Sequence, residues 1–429
     1  MKKFLILLLF FYNTANAENH PQFFIDAALK NNLKLNAERK NKKSIEQNIN
    51  ISRSEFLPSI SLSSDQSSSQ LSKKTNQSGS NLPDSNLDTE TKKISIDQKI
   101  FQGFKGYNSL KKSELEVKKA NFKLNKVTQQ TILDTVSVYF DFVFKTKNEQ
   151  FNLSNLNLFE RQVESDSARL QKGEITLTDL AQSESSLAGA NANLIKAQTE
   201  LLVSQTNFER IIGEKTPNSI NENSNITVDL PNTLQQSIKN AKTNNFDLII
   251  ARLDYKIAEK DLNIEKAKLS PSASINYSKS ENKDYSSTVD ESKEEKVKAT
   301  ITWPIIKGGE NISSIKKSSF NKQRSLLLLK DAEKKVVSEI TNAWSKYQSS
   351  ESVLKATESQ LKAAEIANEG ITLEYDSGNT RTTLEVIQSR SLLLESRIAF
   401  AKAERDFVIS KFELAFQLGA LSAKAIKPS

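Results

Sequence analysis

The chain has 429 residues, 60 basic against 52 acidic, and a formal net charge of +8. It has no cysteine and a single histidine, His20, which excludes disulfides, thiolate metal sites, a lipoprotein-type cysteine anchor and multi-histidine metal sites. Charges of both signs are interspersed, as on solvated helix faces rather than a nucleic-acid patch, and only 11 Gly and 8 Pro predict long uninterrupted elements.

Lys2-Lys3, the apolar run Phe4 to Phe11 and the small residues Ala15 and Ala17 form a secretory signal pattern over residues 1–17, with cleavage expected before Glu18. The run is too short for a membrane-spanning helix, and no later window holds roughly 18 consecutive apolar residues. An exported chain of this kind is either soluble or a β-barrel.

From about Pro21 to Phe56 the apolar spacing is helical, and Pro58 stops the pattern. The segment recurs at Leu234 to Leu269 in the same register. Asn31-Asn32-Leu33-Lys34-Leu35 matches Asn244-Asn245-Phe246-Asp247-Leu248, and Pro58 matches Pro271, both at an offset of 213. A tandem duplication follows, residues 18–213 and 234–421, joined by a polar linker over 214–233 and followed by a tail over 422–429.

After each helix the period changes to two. Ile94, Ile96 and Ile100 alternate with polar residues, as do Val297, Ala299, Ile301, Trp303 and Ile305, so each repeat carries a β-hairpin, about 58–103 and 271–306. The polar stretches Ser72 to Thr89 and Ser280 to Ser292 are expected as loop-like tips. Two hairpins make four strands, too few to close a barrel, and a strand pair with one apolar face does not stand alone in water. Either the hairpins pack on the helices as a small soluble sheet or several copies pool their strands; Tyr277, Tyr285 and Trp303, where an interfacial aromatic girdle would lie, favour pooling.

Gly103 and Gly308 then introduce long helical stretches, Tyr107 to Lys172 and Glu310 to Glu369, each free of Gly and Pro. At 1.5 Å per residue these are rods of roughly 90–100 Å. Return helices run from Gly173 to Gly213 and from Gly378 to Gly419. Leu180, Leu187, Leu194, Leu201 and Phe208 recur every seven residues, as do Val386, Leu393, Phe400, Phe407 and Leu414, and a mostly small residue follows three positions later. This predicts knobs-into-holes packing with close backbones and a left-handed supercoil.

The doubled Asn-Asn-x-x-Leu helix starts, Phe56-Leu57-Pro58 with Leu269-Ser270-Pro271, Ile100-Phe101-Gln102-Gly103 with Ile305-Ile306-Lys307-Gly308-Gly309, and the closing Gln417-Leu418-Gly419-Ala420-Leu421 resemble the TolC-like outer-membrane factor family over roughly residues 20 to 421. No single motif is specific; their order and doubled spacing are. The resemblance implies a mainly α protomer with a small β part. Three chains would form a homotrimer with a 12-stranded outer-membrane β-barrel, continued by a periplasmic α-helical barrel. Pro58, Gly103, Pro271 and Gly308 would mark the barrel-to-tunnel turns, Tyr277 and Trp303 the membrane interface, and the linker would form a belt around the tunnel.

The implied function is an export channel, not an enzyme and without cofactor. It would serve type I secretion or multidrug efflux, working with a periplasmic adaptor and an inner-membrane ABC or RND-type transporter, in contact with outer-membrane lipid and not nucleic acid. The resemblance also implies a gate at the periplasmic tip, in which Tyr375 and Arg381 bond the Thr178–Asp179 pair while an acidic ring lines the aperture. Two departures stand out: one extra residue lies between Gly378 and Arg381, and the acidic ring has Glu385 but Gln388 at its second position, which predicts a weaker cation-binding aperture. The competing class is a periplasmic coiled-coil adaptor, which normally carries one helical hairpin between Gly-rich β domains.

Overall fold

The computed structural model describes residues 21–217, 226–286, 289–377 and 381–428. The signal-like segment, His20, Gly378 and the extra tip residue lie outside the described residues. In chain order the elements are α1 (Pro21–Asn31), α2 (Leu33–Ser54), β1 (Ser59–Leu71), β2 (Lys74–Thr75), β3 (Asn81–Leu82), β4 (Ser85–Gln102), α3 (Lys105–Gln171) and α4 (Leu177–Ile212). The second repeat follows with β5 (Ile226–Val228), α5 (Leu234–Asn244), α6 (Phe246–Ala267), β6 (Ser272–Ser286), β7 (Val289–Thr302), α7 (Glu310–Asp376), α8 (Thr383–Gln417) and β8 (Ile426–Pro428). No helix among the described residues is long and apolar enough to cross a membrane. The chain divides into two compact units, Asn41–Asn121 with Ile250–Lys330, and the remainder.

In the first of these units all four long strands form one antiparallel sheet in the order β1-β4-β6-β7. The register aligns Ile60, Ile96, Tyr277 and Val297 across the four strands, and one row on Ser59, Asp97, Asn276 and Lys298. Side chains alternate between faces. The first set therefore shares a face with Phe101, Ala273, Ile275, Ala299 and Ile301, while the opposite face is Ser, Asn, Asp and Lys. A bulge between Lys99 and Phe101 keeps Phe101 on the apolar side. Polar-face bonds such as Asn276 Nδ2 donating to Asp97 Oδ1 at 2.7 Å tie neighbouring strands together.

The strands are longer than their hydrophobic pattern predicts. Pairing reaches Leu71–Ser85 and Ser286–Val289, because backbone hydrogen bonding continues through Ser, Thr and charged residues that present no apolar stripe. The tip expected at Ser72 to Thr89 is correspondingly shorter and holds the small β2-β3 pair. At its other end β7 stops at Thr302 rather than running to Ile305, where Pro304 has no amide to continue a ladder.

The α7 helix is 67 residues long and passes through Gly370 to Asp376. The first-repeat helix expected as one piece breaks at Asn32, and its counterpart breaks at Asn245. Each side chain accepts from backbone amides of the following helix: Leu35 N to Asn32 Oδ1 at 3.0 Å, and Asp247 N and Leu248 N to Asn245 Oδ1 at 2.9 and 3.2 Å. Each side-chain amide also donates to the last turn of its own repeat's return helix, Asn32 to Ile211 O and Asn245 to Gln417 O. One asparagine thus caps one helix and satisfies an orphan carbonyl of another. Gly419, at φ +70°, follows this contact so closely that a Cβ there would lie 2.3 Å from Asn244 O.

The helical unit's core forms from α1, α3, α4 and α8. Phe24, Tyr139, Phe142 and Phe208 make one cluster, with ring centroids 5.1–5.6 Å apart. Ile25, Ile132, Val136 and Phe412 make another, which also takes in Ile226 of the linker and Ile426 of the tail. Linker and tail are joined as the β5-β8 ribbon. On the return helices the small heptad positions Ser183, Ala190, Ala197 and Ser204, with Ser389, Ser396, Ala403 and Ser410, are all buried, as are Leu194, Phe208, Val386 and Leu414 among the large ones. Four of these serines bond polar residues of the long helices, at Asp166, Asp141, Asn368 and Ser350.

Candidate functional site at the helical turns

The two helical turns have the same construction. At the first, α3 ends at Gln171 and the chain turns through Gly173. Thr176 then caps α4 in a reciprocal box: Asp179 N donates to Thr176 Oγ1 at 3.2 Å, and Thr176 N donates to Asp179 Oδ2 at 2.9 Å. At the second, Thr382 caps α8 and Glu385 takes the place of Asp179, with Thr382 N donating to Glu385 Oε2 at 2.8 Å. Asp179 and Glu385 therefore occupy equivalent positions in the two repeats. The Thr-x-x-Asp and Thr-x-x-Glu spacings carry the signal of these boxes.

Both carboxyls sit below their ordinary range. The Thr176 hydroxyl and then its amide lower Asp179, while the Thr382 amide lowers Glu385, followed by Arg381 and the Thr382 hydroxyl. Arg381 lies between two carboxylates, its Nε donating to Glu374 Oε2 at 2.5 Å and its Nη1 to Glu385 Oε1 at 3.0 Å. Those two acids hold its guanidinium pKa above the usual arginine value. Thr178 and Gln388 are exposed.

Tyr375, near the end of α7, is 6% exposed and reaches across to the first repeat. Its Oη donates to Asp166 Oδ1 of α3 at 2.9 Å and lies 3.2 Å from Thr383 Oγ1. Asp166 is fully buried; it also accepts from Gln162 Nε2 at 2.9 Å and from the Ser183 hydroxyl. Arg169 stacks on the Tyr375 ring with its guanidinium carbon 4.6 Å from the centroid. Burial raises the Tyr375 phenol above its ordinary value. Arg390 of α8 donates to Leu158 O of α3 at 3.4 Å, and burial pulls its guanidinium down.

The structure thus brings Tyr375 to the first repeat's hairpin at Asp166, while Asp179 is engaged by its own cap and Arg381 by Glu374 and Glu385. Nothing in the sequence singled out Asp166 or Gln162. A buried aspartate in a heptad array of mixed charge looks like any surface carboxylate until its donors are in place.

In the strand-bearing unit, Pro58 and Pro271 immediately precede β1 and β6. Gly103 has φ +60°, and an added Cβ would lie 2.7 Å from Ala267 O; Gly308 has φ +53° with open space around it. Tyr277 lies mid-strand on the apolar face. Trp303 is 64% exposed just beyond β7, with Nε1 donating to Leu269 O at 3.1 Å. Next to the strand feet, Phe56, Phe101, Phe104 and Tyr107 add exposed aromatic surface the sequence had not assigned to the girdle.

A family model described as "Outer membrane efflux protein" matches residues 24–214 and 237–420. Outer membrane efflux protein BepC of Brucella suis is 25% identical over 402 residues, covering 92% of this chain and 84% of that protein. Outer membrane protein TolC of Escherichia coli is 24% identical over 445 residues, covering 98% and 87%. The solved CmeC outer membrane channel of Campylobacter jejuni superposes with a TM-score of 0.81 at 16% identity, covering 93% of this chain and 85% of CmeC. The open-state MtrE outer membrane channel of Neisseria gonorrhoeae superposes at 0.77, with 14% identity and 94% and 89% coverage. With both repeats matched in order, this duplicated helix–hairpin chain belongs to the outer membrane efflux protein family and is an outer-membrane protein.

Proposed function

We infer that three copies of the chain close their sheets into a single 12-stranded barrel and form the outer-membrane channel of an export system. The observation that carries this is the sheet itself: four strands, one apolar face, and β1 and β7 left as long edges unpaired among the described residues. Exposed edges of 13 and 14 residues are templates for pairing with another chain. Strands of 13 to 18 residues exceed the roughly 9–11 needed to cross a bilayer at a tilt. Closure removes the edges, turns the apolar face to lipid and leaves the polar face lining a pore.

The helices then form the periplasmic conduit, which meets a periplasmic adaptor and an inner-membrane transporter of the ABC or RND type, for type I secretion or drug efflux. Its turns are the gate. The Tyr375–Asp166 bond and the Arg390–Leu158 contact hold the second repeat's hairpin against the first, while Arg381 ties the two helices of its own hairpin through Glu374 and Glu385; a partner opens the tip by binding the open arrangement more tightly. With Glu374 and Glu385 both paired to Arg381, the aperture binds cations weakly. Fractionation tests the whole proposal. A heat-sensitive trimer in detergent-extracted outer membrane is expected, and a soluble periplasmic monomer would contradict it.

A further inference from the structure

Resting on the channel proposal above, we propose that the pore within the strands selects anionic solutes, through lysines on the polar face of the sheet and in the cavity at its foot. Where the opposite face is apolar, the polar face presents Lys99, Lys298 and Lys296 on successive rows, all exposed, against one acid, Asp97. Asp97 is itself engaged by the Asn276 amide. Lys296 has Glu294 one row further along at 3.4 Å, an exposed pair that screens it weakly. Beyond that level Lys93 shares a row with Glu294, and Asp65 stands on the next, so the positive excess is confined to the rows nearer the helices.

The excess continues into a cavity of about 610 Å³ lined by Lys99, Lys105, Lys268 and Lys307, with Glu310 and the buried Asn311. Lys268 pairs with Glu265 at 2.8 Å and Lys307 with Glu310 at 3.5 Å. Lys99 and Lys105 have no acidic partner among the described residues. A wall of one sign backed by low-dielectric protein and lipid concentrates counter-ions. Three protomers repeat the array around one pore. The favoured solutes carry carboxylate or phosphate groups, and the selection acts in the barrel, independently of the carboxylates at the helical turns.

The test is the reversal potential of the full-length protein in planar bilayers under a KCl gradient, which gives the chloride-to-potassium permeability ratio. The combined variant Lys99→Gln, Lys296→Gln, Lys298→Gln is expected to lower that ratio at least about twofold. The matching Lys→Arg variant keeps the parent value and controls for assembly. A conducting Gln variant whose ratio is unchanged or raised overturns the charge proposal alone. Inserted parent protein that passes no current overturns the channel proposal and this one with it.

Discussion

Replacing Tyr375 with Phe removes one oxygen and leaves the ring, so it isolates the link between the repeats. The ring stays packed and can still stack under Arg169. Three bonds disappear, one to the Asp166 carboxylate, one with the Thr383 hydroxyl and a long one accepted from Gln162 Nε2 at 3.4 Å, which adds little. A hydrogen bond to a charged group contributes about 1.5–3 kcal/mol and a neutral one about 1. Asp166 keeps Gln162 and Ser183 as donors, so its buried charge is not left unpaired, which places the net loss near 2 kcal/mol per protomer. If opening parts α7 from α3, the balance moves toward the open form by about 30-fold per protomer, since each 1.4 kcal/mol is tenfold. Single-channel recording in planar bilayers reads this as a higher open probability. A Tyr375→Phe variant that matches the parent in conductance, open probability and thermal stability would refute the assignment of this bond to the gate.

Gly103→Ala and Gly308→Ala share the strain of a side chain at positive φ, about 1 kcal/mol. Only Gly103 also backs onto Ala267 O and Ser270, so its variant is expected to lower the unfolding temperature of the extracted protein clearly more than Gly308→Ala; equal losses would mean that the close approach does not matter. Asn245→Ala removes a cap worth about 1 kcal/mol and leaves Gln417 O without its donor, for a total near 2 kcal/mol, seen as faster amide exchange at the start of α6. The folded-state values of Asp179 and Glu385 are lowered, so what they contribute is complete above the ordinary carboxylate range and is lost as pH falls through the lowered values. Amide exchange in the first turns of α4 and α8 should therefore accelerate below about pH 4 and not between about pH 6 and 8; an onset near neutrality would contradict the cap assignment.

The duplication, the long helices, the strand positions and the prolines that precede the strands were legible because each is a local, periodic or punctuating signal. The heptads were legible too, though the structure buries the small positions most completely and leaves Leu180, Leu187 and Leu201 half-buried. What escaped depends on contacts distant in the chain. The breaks at Asn32 and Asn245 are held by carbonyls 179 and 172 residues away. The β5-β8 ribbon needs the linker and the tail to meet, and neither shows a strand period over three residues. Asp166 acquires its role only when Tyr375, 209 residues later, arrives beside it. Thr176 and Thr382 escaped for a different reason: their Thr-x-x-Asp and Thr-x-x-Glu spacings are local but too short to stand out, and the boxes they form give Asp179 and Glu385 a structural duty before any gating one.

The central claim is that the free edges β1 and β7 pair between protomers, and the absence of cysteine makes it directly measurable. Pairs of single cysteines, Ser61→Cys on β1 combined in turn with Lys296→Cys, Lys298→Cys or Thr300→Cys on β7, scan the registers available to an edge-to-edge contact. Oxidised in intact outer membranes and run on denaturing gels, at least one pair is expected to give covalent dimers and trimers that collapse to monomer on reduction. Monomer alone at every register, with the protein present in the outer membrane, would contradict the shared barrel.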